Sequence, residues 1–371
     1  MKKFLSVVLS LIMVLSLTAC GGNSGSESGS DSYEIAVVTD VGQLMDGGFN
    51  QGTYEGAKAY AEANGKTYQY YQPANGSDAT DNDRVAAMRQ AIQNGAKVIV
   101  APGFLQATAM TTVALESPDV KFIFVDGWAL TNDKQEVIPN VTAIVYKEQE
   151  SGYLAGYAAV KDGYTKLGGT FGGGGSNPAC NRFAYGYVQG AKDAAAEIGA
   201  TVEIRISFQY GGSFSASSEL ATQMGTWYNN GTEVIFSCGG SMVQSVISAA
   251  NETDNGKIIG VDTDQSILSD RVITSATKGL SASVQKVLGE FYDGKWDELL
   301  GGQASNLGAA DDATGLPFAT SKFTTFTEAD YNAIFEKIKT GAVTPDANVE
   351  GCENADFWTA LSDGNTTVIY E

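Results

Sequence analysis

Short β-rich runs alternate with helix-patterned segments along most of the chain, and this alternation constrains the fold more than any other feature of the sequence. Between the predicted strands lie segments with helical spacing of apolar residues, such as 49–63, 83–94, 181–198 and 241–251. Consecutive parallel strands need a crossover, usually a helix, so the pattern predicts parallel sheets built from βαβ units. The predicted strands are Glu34–Thr39, Thr67–Tyr71, Lys97–Ala101, Lys121–Val125, Lys166–Phe171, Thr201–Ser207, Glu233–Ser237 and Lys257–Val261.

The series of strands restarts at Lys166, after a long helical stretch over 148–160. This break predicts an α/β protein with two doubly wound, Rossmann-like lobes joined by a hinge. We expect 33–145 with roughly 266–300 in the first lobe, and 146–265 with roughly 301–371 in the second. Two such lobes form a cleft between the carboxyl ends of their strands, where α/β sheets bind ligands.

The first nineteen residues, 1–19, predict an export signal. Lys2 and Lys3 precede an apolar run over 4–17, which is shorter than the roughly 20 residues that span a membrane and typical of a secretory signal. The sequence LTAC at 17–20 resembles a lipobox, in which the cysteine, here Cys20, is acylated with a lipid such as palmitate; an incidental cysteine after a plain signal is the alternative. The Gly/Ser-rich segment 20–32 predicts a flexible tether. We expect the chain to be lipid-anchored on the extracytoplasmic face of the cell membrane.

Composition excludes several classes of function. The chain has no histidine, which removes histidine-based catalytic triads and histidine metal sites. With 23 Lys+Arg against 43 Asp+Glu, the net charge of −20 argues against a partner made of nucleic acid. Cys180, Cys238 and Cys352 have no metal-ligand spacing, and both a disulfide and buried free thiols stay open. We expect no metal and no cofactor.

Acidic, glycine and aromatic residues follow the predicted strands. The first strand leads into DVGQLMDGGFNQGTYEG (40–56), and other strand ends carry Asp126-Gly127-Trp128 and VDTDQ (261–265). The pattern resembles the basic membrane protein family, the purine-nucleoside-binding lipoproteins of ABC transporters, whose motif runs Asp-x-Gly-x-x-x-Asp-x-Ser-Phe-Asn-Gln. Gly48 stands here in place of the serine. Further matches, in order, are ESGYLAG (150–156), NRFAYGYVQGAK (181–192), GGSF (211–214), NNGTEVIFSCGG (229–240), IGVDTDQ (259–265) and ITSATK (273–278).

The resemblance implies a type I periplasmic-binding fold and a binding protein rather than an enzyme. It implies a substrate-binding lipoprotein that captures a purine nucleoside in the cleft between its lobes and delivers it to the membrane permease of an ABC transporter. A monomer is the default for such receptors. An opening and closing cleft is the mechanism that this function needs.

Aromatic residues at strand ends suit a purine base, because stacking on a base is worth about 1–3 kcal/mol. By the family match, Phe49 and Phe214 come one from each lobe and are expected to clamp the base. Phe183 matches as well. The alternatives are core packing for Phe49 and Phe183, and the packing of a loop residue on its own helix for Phe214.

Carboxylates accept hydrogen bonds from hydroxyl and N–H groups, and bonds to charged groups are the stronger ones. Asp40 and Asp126 resemble the contacts of the family to the edge of the base, and Asp262 and Lys278 match its ribose-contacting positions. A turn or helix cap is the alternative for each aspartate.

Asn50 and Gly239 complete the predicted ligand-binding set. Asn50 matches the motif, although capping the helix that follows is its alternative role. The Gly239-Gly240 turn is expected to let backbone amides approach the ligand.

The acid-rich rim favours nucleosides over nucleotides. The run 172–175 lacks the pattern of a phosphate-binding loop and is interpreted as a flexible turn. Two other functions stay open: the same scaffold binding a sugar or another small polar metabolite for uptake or sensing, and a hydrolase using Asp262 and Asp264. Asp264 is expected to be structural, and no histidine or metal set supports the hydrolase.

Overall fold

The computed structural model describes residues 32–41 and 43–371. The predicted signal 1–19, the lipid-attachment residue Cys20 and the tether up to residue 31 lie outside the described residues. Within those ranges, every helix is too short or too polar to traverse a bilayer.

The described chain forms an α/β fold of two sheets with helices between the strands. The strands are β1 Ile35–Val38, β2 Tyr68–Tyr71, β3 Val98–Pro102, β4 Lys121–Val125, β5 Val141–Tyr146, β6 Lys166–Phe171, β7 Val202–Ser207, β8 Val234–Cys238, β9 Lys257–Asp262, β10 Val272–Lys278, β11 Ala304–Leu307, β12 Thr314–Gly315 and β13 Thr366–Tyr370. The helices are α1 Phe49–Ala63, α2 Asp81–Gln93, α3 Ala107–Glu116, α4 Glu148–Lys161, α5 Pro178–Ile198, α6 Ser218–Asn229, α7 Val243–Asn251, α8 Leu280–Tyr292, α9 Glu328–Lys339 and α10 Ala355–Thr359.

The first sheet has the order β11-β5-β4-β3-β1-β2 and the second β12-β10-β9-β8-β6-β7-β13. All pairings are parallel except that of β10 with β12. The central strands are buried along their whole length, as expected where helices cover both faces of a parallel sheet. The predicted parallel, doubly wound architecture is therefore confirmed.

Two strands lie in a different sheet from the one predicted for them from the sequence. β10, which falls within the segment 266–300 expected in the first lobe, pairs with β9 in the second sheet. β11, which falls within 301–371, pairs with β5 in the first sheet. The sequence misleads here because no helix separates β9 from β10, so β10 looks like the start of a new unit although its apolar side chains are buried beside β9.

The chain passes between the sheets after β5, after β10 and after β11. Residues in the first turn of α4 form hydrogen bonds with the segments that pass between the sheets. The Glu150 carboxylate accepts hydrogen bonds from the Ala309 amide at 2.6 Å and from the Thr314 hydroxyl at 2.8 Å. The Ser151 hydroxyl donates to the Thr277 carbonyl at 2.7 Å. The segments that link the sheets are therefore held side by side.

Glycines allow α4 and α5 to pack backbone against backbone. A Cβ atom at Gly156 would lie 2.0 Å from the Tyr187 carbonyl oxygen, and one at Gly190 would lie 2.0 Å from that of Tyr153. Gly152 and Gly186 are equally close to the facing helix. The motifs ESGYLAG and NRFAYGYVQGAK thus carry a helix–helix contact.

Replacing Gly190 with alanine should destabilise the protein, because the facing backbone has to move to accept the methyl group. We expect the free energy of unfolding in urea to fall by about 1–3 kcal/mol, the usual cost of overpacking. The matched control is Gly225→Ala in α6, where an added Cβ meets no atom within 4 Å and helix propensity should raise stability by about 0.5–1 kcal/mol. Equal effects of the two substitutions would contradict the proposed role of the helix contact.

Candidate functional site

A cavity lies between the carboxyl ends of the two sheets, which is the usual place for a ligand in an α/β fold. All of the predicted ligand-binding residues line it: Asp40, Phe49, Asn50, Asp126, Phe183, Phe214, Gly239, Asp262 and Lys278. Their roles in binding stay predictions. Other lining residues were not predicted from the sequence, among them Asp46, Phe104, Asn177 and Ser241.

Asp46, not Asn50, caps α1. Its carboxylate accepts hydrogen bonds from the amides of Gly48 at 2.9 Å, Asn50 at 3.1 Å and Gln51 at 3.2 Å. Asn50 instead donates from Nδ2 to the Val41 carbonyl at 3.1 Å, and its Oδ1 atom is buried without a hydrogen-bond partner among the described residues. The alternative of Asn50 as a helix cap is therefore wrong, and an acceptor is left at the cavity. Asp46 stands inside the motif quoted above, which is the signal that could have identified it.

Asp40 follows β1 and is buried at the cavity wall. Its carboxylate accepts from the Val41 amide at 2.6 Å, and the Arg84 guanidinium donates to its carbonyl oxygen at 3.2 Å. Gly103 makes room for it, since a Cβ there would lie 1.9 Å from Asp40 Oδ2. Burial raises the pKa of Asp40 to about 7.

Lys278, the last residue of β10, is the centre of a buried charge cluster. Its Nζ atom lies 2.5 Å from Asp126 Oδ2, 3.4 Å from Glu148 Oε1 and 3.6 Å from Asp262 Oδ1. Arg182 donates from Nε to the other oxygen of Glu148 at 2.6 Å. Only 2% of the Lys278 side chain is exposed, and these carboxylates hold the pKa of its ammonium well above the ordinary value although burial opposes this.

Aromatic rings surround the same ammonium group. Lys278 Nζ lies 5.1 Å from the ring centre of Phe49 and 5.3 Å from that of Phe183, within the range of cation–π attraction. Phe183 is also part of the core of the second sheet, where its ring meets Phe236 edge-on. Phe183 therefore both packs in the core and lines the cavity.

Phe214 occupies a pocket made by glycines. A Cβ at Gly172 would lie 2.5 Å from its ring, and one at Gly239 would lie 3.0 Å from it. The interpretation of 172–175 as a flexible turn is therefore incomplete, because Gly172 and Gly173 make room for an aromatic side chain at the cavity.

Three of the predicted site residues have left-handed backbone: φ is 58° at Asp126, 57° at Phe214 and 67° at Asp262. Such conformations cost non-glycine residues about 1–3 kcal/mol and concentrate at functional sites. Gly239, with φ at 144°, is the one predicted site residue for which glycine is required by its backbone.

Cys180, Cys238 and Cys352 are buried free thiols in the described part of the chain. Cys180 and Cys238 line the cavity, with Cys180 Sγ at 3.9 Å from the Cys238 carbonyl oxygen. Asp264 does not line it: its carboxylate accepts from the Thr320 hydroxyl at 2.6 Å and the Ser266 amide at 3.0 Å. The expected structural role of Asp264 agrees with these contacts, and the acid–base pair of the hydrolase alternative is not assembled.

The buried carboxyl groups make stability depend on pH. Burial raises the pKa of Asp40 and Asp262 to about 7, above the ordinary value of 3.8. A carboxyl group that holds its proton more tightly in the folded state stabilises the fold at low pH and loses that contribution as pH rises. We expect the free energy of unfolding of the ligand-free protein to fall between about pH 4 and about pH 7 because of these groups.

Urea unfolding of the Asp40→Asn and Asp262→Asn variants across this range should show a flatter pH profile than the unmodified chain. The control is Asp330→Asn, because hydrogen bonds from Thr327 lower the pKa of Asp330 below its ordinary value of 3.8, so that this group stays ionised across the range and its removal should leave the slope unchanged. An unchanged profile in both cavity variants would contradict the assignment.

Comparison with known proteins assigns the chain to a protein family. Residues 33–344 match the model of the Bmp family, described as ABC transporter substrate-binding protein, PnrA-like. The chain belongs to this family. The ABC transporter nucleoside-binding protein BmpA of Lactococcus lactis is 31% identical over 323 residues, covering 80% of this chain and 87% of that protein. Basic membrane protein B of Borreliella burgdorferi is 29% identical, with 84% and 89% covered.

Solved structures confirm the type I periplasmic-binding fold. A solute-binding protein of an ABC transporter system from Aeropyrum pernix superposes with a TM-score of 0.64 at 22% identity, covering 86% of this chain and 84% of that one. One from Conexibacter woesei gives 0.63 at 20% identity, with 85% and 99% covered. As a member of the Bmp family, the protein is a substrate-binding component of an ABC transporter, not an enzyme.

Proposed function

We propose that this Bmp-family protein captures a purine nucleoside in the cavity between its sheets and delivers it to a membrane permease. The observation that carries the proposal is the chemistry of the cavity wall, where aromatic rings stand beside buried hydrogen-bond acceptors that have no donor in the described part of the chain. The printed name of the Lactococcus lactis relative, a nucleoside-binding protein, supports the same substrate class.

Unpaired hydrogen-bond acceptors at the cavity indicate that the ligand carries hydrogen-bond donors. Asn50 Oδ1 and Asp126 Oδ1 are buried at the cavity with no hydrogen-bond partner among the described residues. A buried acceptor left unpaired costs about 1–3 kcal/mol, so a ligand rich in N–H and O–H donors is favoured. A purine nucleoside offers both, from its base and from its ribose hydroxyl groups.

The aromatic rings and the charged groups at the cavity restrict the class of ligand further. Phe49, from the first sheet's side, and Phe214, from the second, suit the two faces of a flat base. A phosphate group would meet Asp40, Asp126 and Asp262, while Lys278 is already surrounded by carboxylates. This arrangement supports nucleosides over nucleotides.

We also propose that each sheet forms one lobe of a hinged pair, the first from 33–146 with 279–308 and the second from 147–278 with 309–371. The passages after β5, β10 and β11 form the hinge, and the ligand stabilises the closed form. Lipid attachment at Cys20 would keep the monomer at the extracytoplasmic face of the membrane, within reach of its permease.

Thermal unfolding with a ligand panel tests the proposed function. The protein, purified in detergent, is first unfolded and refolded to remove bound ligand. A ligand at about 100 times its Kd stabilises a protein by about 2.7 kcal/mol, so adenosine, guanosine or inosine should raise Tm. AMP, ribose and glucose should not. A rise with a sugar alone would contradict the proposal and favour the same scaffold binding sugars.

A further inference from the structure

The two loops at the mouth of the cavity meet at a single carbonyl group. The Gly47 carbonyl oxygen, between β1 and α1, accepts hydrogen bonds from Thr263 Oγ1 at 2.9 Å and from Gln265 Nε2 at 3.0 Å. Both donors follow β9 of the second sheet, whereas Gly47 follows β1 of the first. These bonds therefore run from one lobe to the other. We call Gly47, Thr263 and Gln265 the clasp.

Hydrogen bonds within its own lobe fix the position of Gln265, and its side-chain amide also bonds to the other lobe. It is fully buried, its Oε1 atom accepts from the Val261 amide at 3.0 Å, and its backbone amide donates to Ser275 Oγ at 3.0 Å. Only the Nε2 group points to the facing loop. A donor fixed in this way loses little conformational freedom when the lobes meet.

Glycines on the first lobe let the facing loop come close. A Cβ at Gly52 would lie 2.8 Å from the Thr263 methyl group, and one at Gly47 would lie 3.1 Å from Leu268 Cδ1. Gly47 also has φ at 71°, which favours glycine. Gly47 and Gly52 of the segment DGGFNQG are thus explained by a contact between lobes.

We propose that Thr263 and Gln265 are positioning residues that hold the cleft closed and so set the rate of ligand release. None of the clasp residues lines the cavity, whereas Asp262, next to Thr263, does. A ligand that draws Asp262 toward the first lobe therefore brings Thr263 to the Gly47 carbonyl. The proposal rests on the proposed function, since it concerns the same cleft.

The test measures guanosine dissociation from the full-length protein in detergent, by chasing labelled guanosine with unlabelled guanosine. Thr263→Val keeps the shape of the side chain and removes the donor, and we expect dissociation about three to ten times faster, as for one lost hydrogen bond. The association rate should change less than about twofold, because the cavity wall is untouched. Thr263→Ser, which restores the hydroxyl group, should return the rate to that of the unmodified chain. Gln265→Glu should accelerate release in the same direction.

A second measurement does not depend on the ligand. Nitroxide labels at Met45→Cys and Ile267→Cys, whose native side chains are 65% and 86% exposed, report the distance across the mouth by electron paramagnetic resonance. Thr263→Val should shift the distances toward longer values in the ligand-free protein. If none of guanosine, adenosine and inosine binds the unmodified chain, the proposed function fails and the label distances alone decide on the clasp. Unchanged distances, or unchanged dissociation where guanosine binds, would overturn the role of Thr263.

Discussion

Replacing Lys278 with methionine is expected to lower the free energy of unfolding at pH 7 by about 3–5 kcal/mol, the usual cost of removing one partner from a buried ion cluster. Methionine fills a similar volume, but it leaves Asp126, Glu148 and Asp262 without the ammonium that all three face. Arg182 then stays as the only cation bonded to that cluster in the described structure. Urea unfolding gives the difference directly.

The signature of this effect is its pH dependence. At low pH the carboxyl groups bind protons and no longer need a cation, so the deficit of the Lys278→Met variant should shrink as the solution is made acidic. The matched control is Lys295→Met, because Lys295 pairs with Asp293 at 3.2 Å on the surface and such pairs contribute about 0–1 kcal/mol. A deficit at pH 7 no larger than that of the control would show that the cluster does not stabilise the fold.

Removing either ring at the cavity should weaken nucleoside binding strongly. Stacking is worth about 1–3 kcal/mol per base, and each 1.4 kcal/mol is about tenfold in Kd. We therefore expect Phe49→Ala and Phe214→Ala each to raise the Kd for guanosine by about 5- to 150-fold. Fluorescence competition against a labelled purine nucleoside measures this.

Conservative variants separate stacking from packing, because Phe49 and Phe214 also pack against hydrophobic core clusters. Phe49→Leu and Phe214→Leu keep an apolar side chain and lack the aromatic face. They should retain most of the stability of the fold in urea and still lose most of the affinity. Leucine variants that bind guanosine within about twofold of the unmodified chain would contradict base stacking.

The regular βα units were predictable because their strands are short, apolar and separated by helices with clear periodicity. α1, β1, β4 and β6 lie at or close to their predicted bounds. α3 was missed because its sequence ATAMTTVALE is small and apolar throughout, which gives no helical stripe. β10 was assigned to the wrong sheet because the connection from β9 contains no helix.

The residues that line the cavity were easier to predict from the sequence than the residues with which they form ion pairs and hydrogen bonds. Every predicted ligand-binding residue lines the cavity, and all of them except Asp126 stand within the ordered family motifs. No pattern showed that Glu148 and Arg182 extend the Lys278 cluster, because an acidic residue in the first turn of a helix such as α4 is already explained by the helix dipole. The clasp was equally hidden, since Gly47 and Thr263 are 216 positions apart in the sequence.

Calorimetric titration of the ligand-stripped protein with guanosine and adenosine tests the central claim most directly. We predict saturable binding at one site per chain for a purine nucleoside, with no heat of binding for AMP or ribose under the same conditions. Binding of ribose or glucose without any nucleoside would contradict the claim, and the Bmp scaffold of this chain would then serve a different substrate.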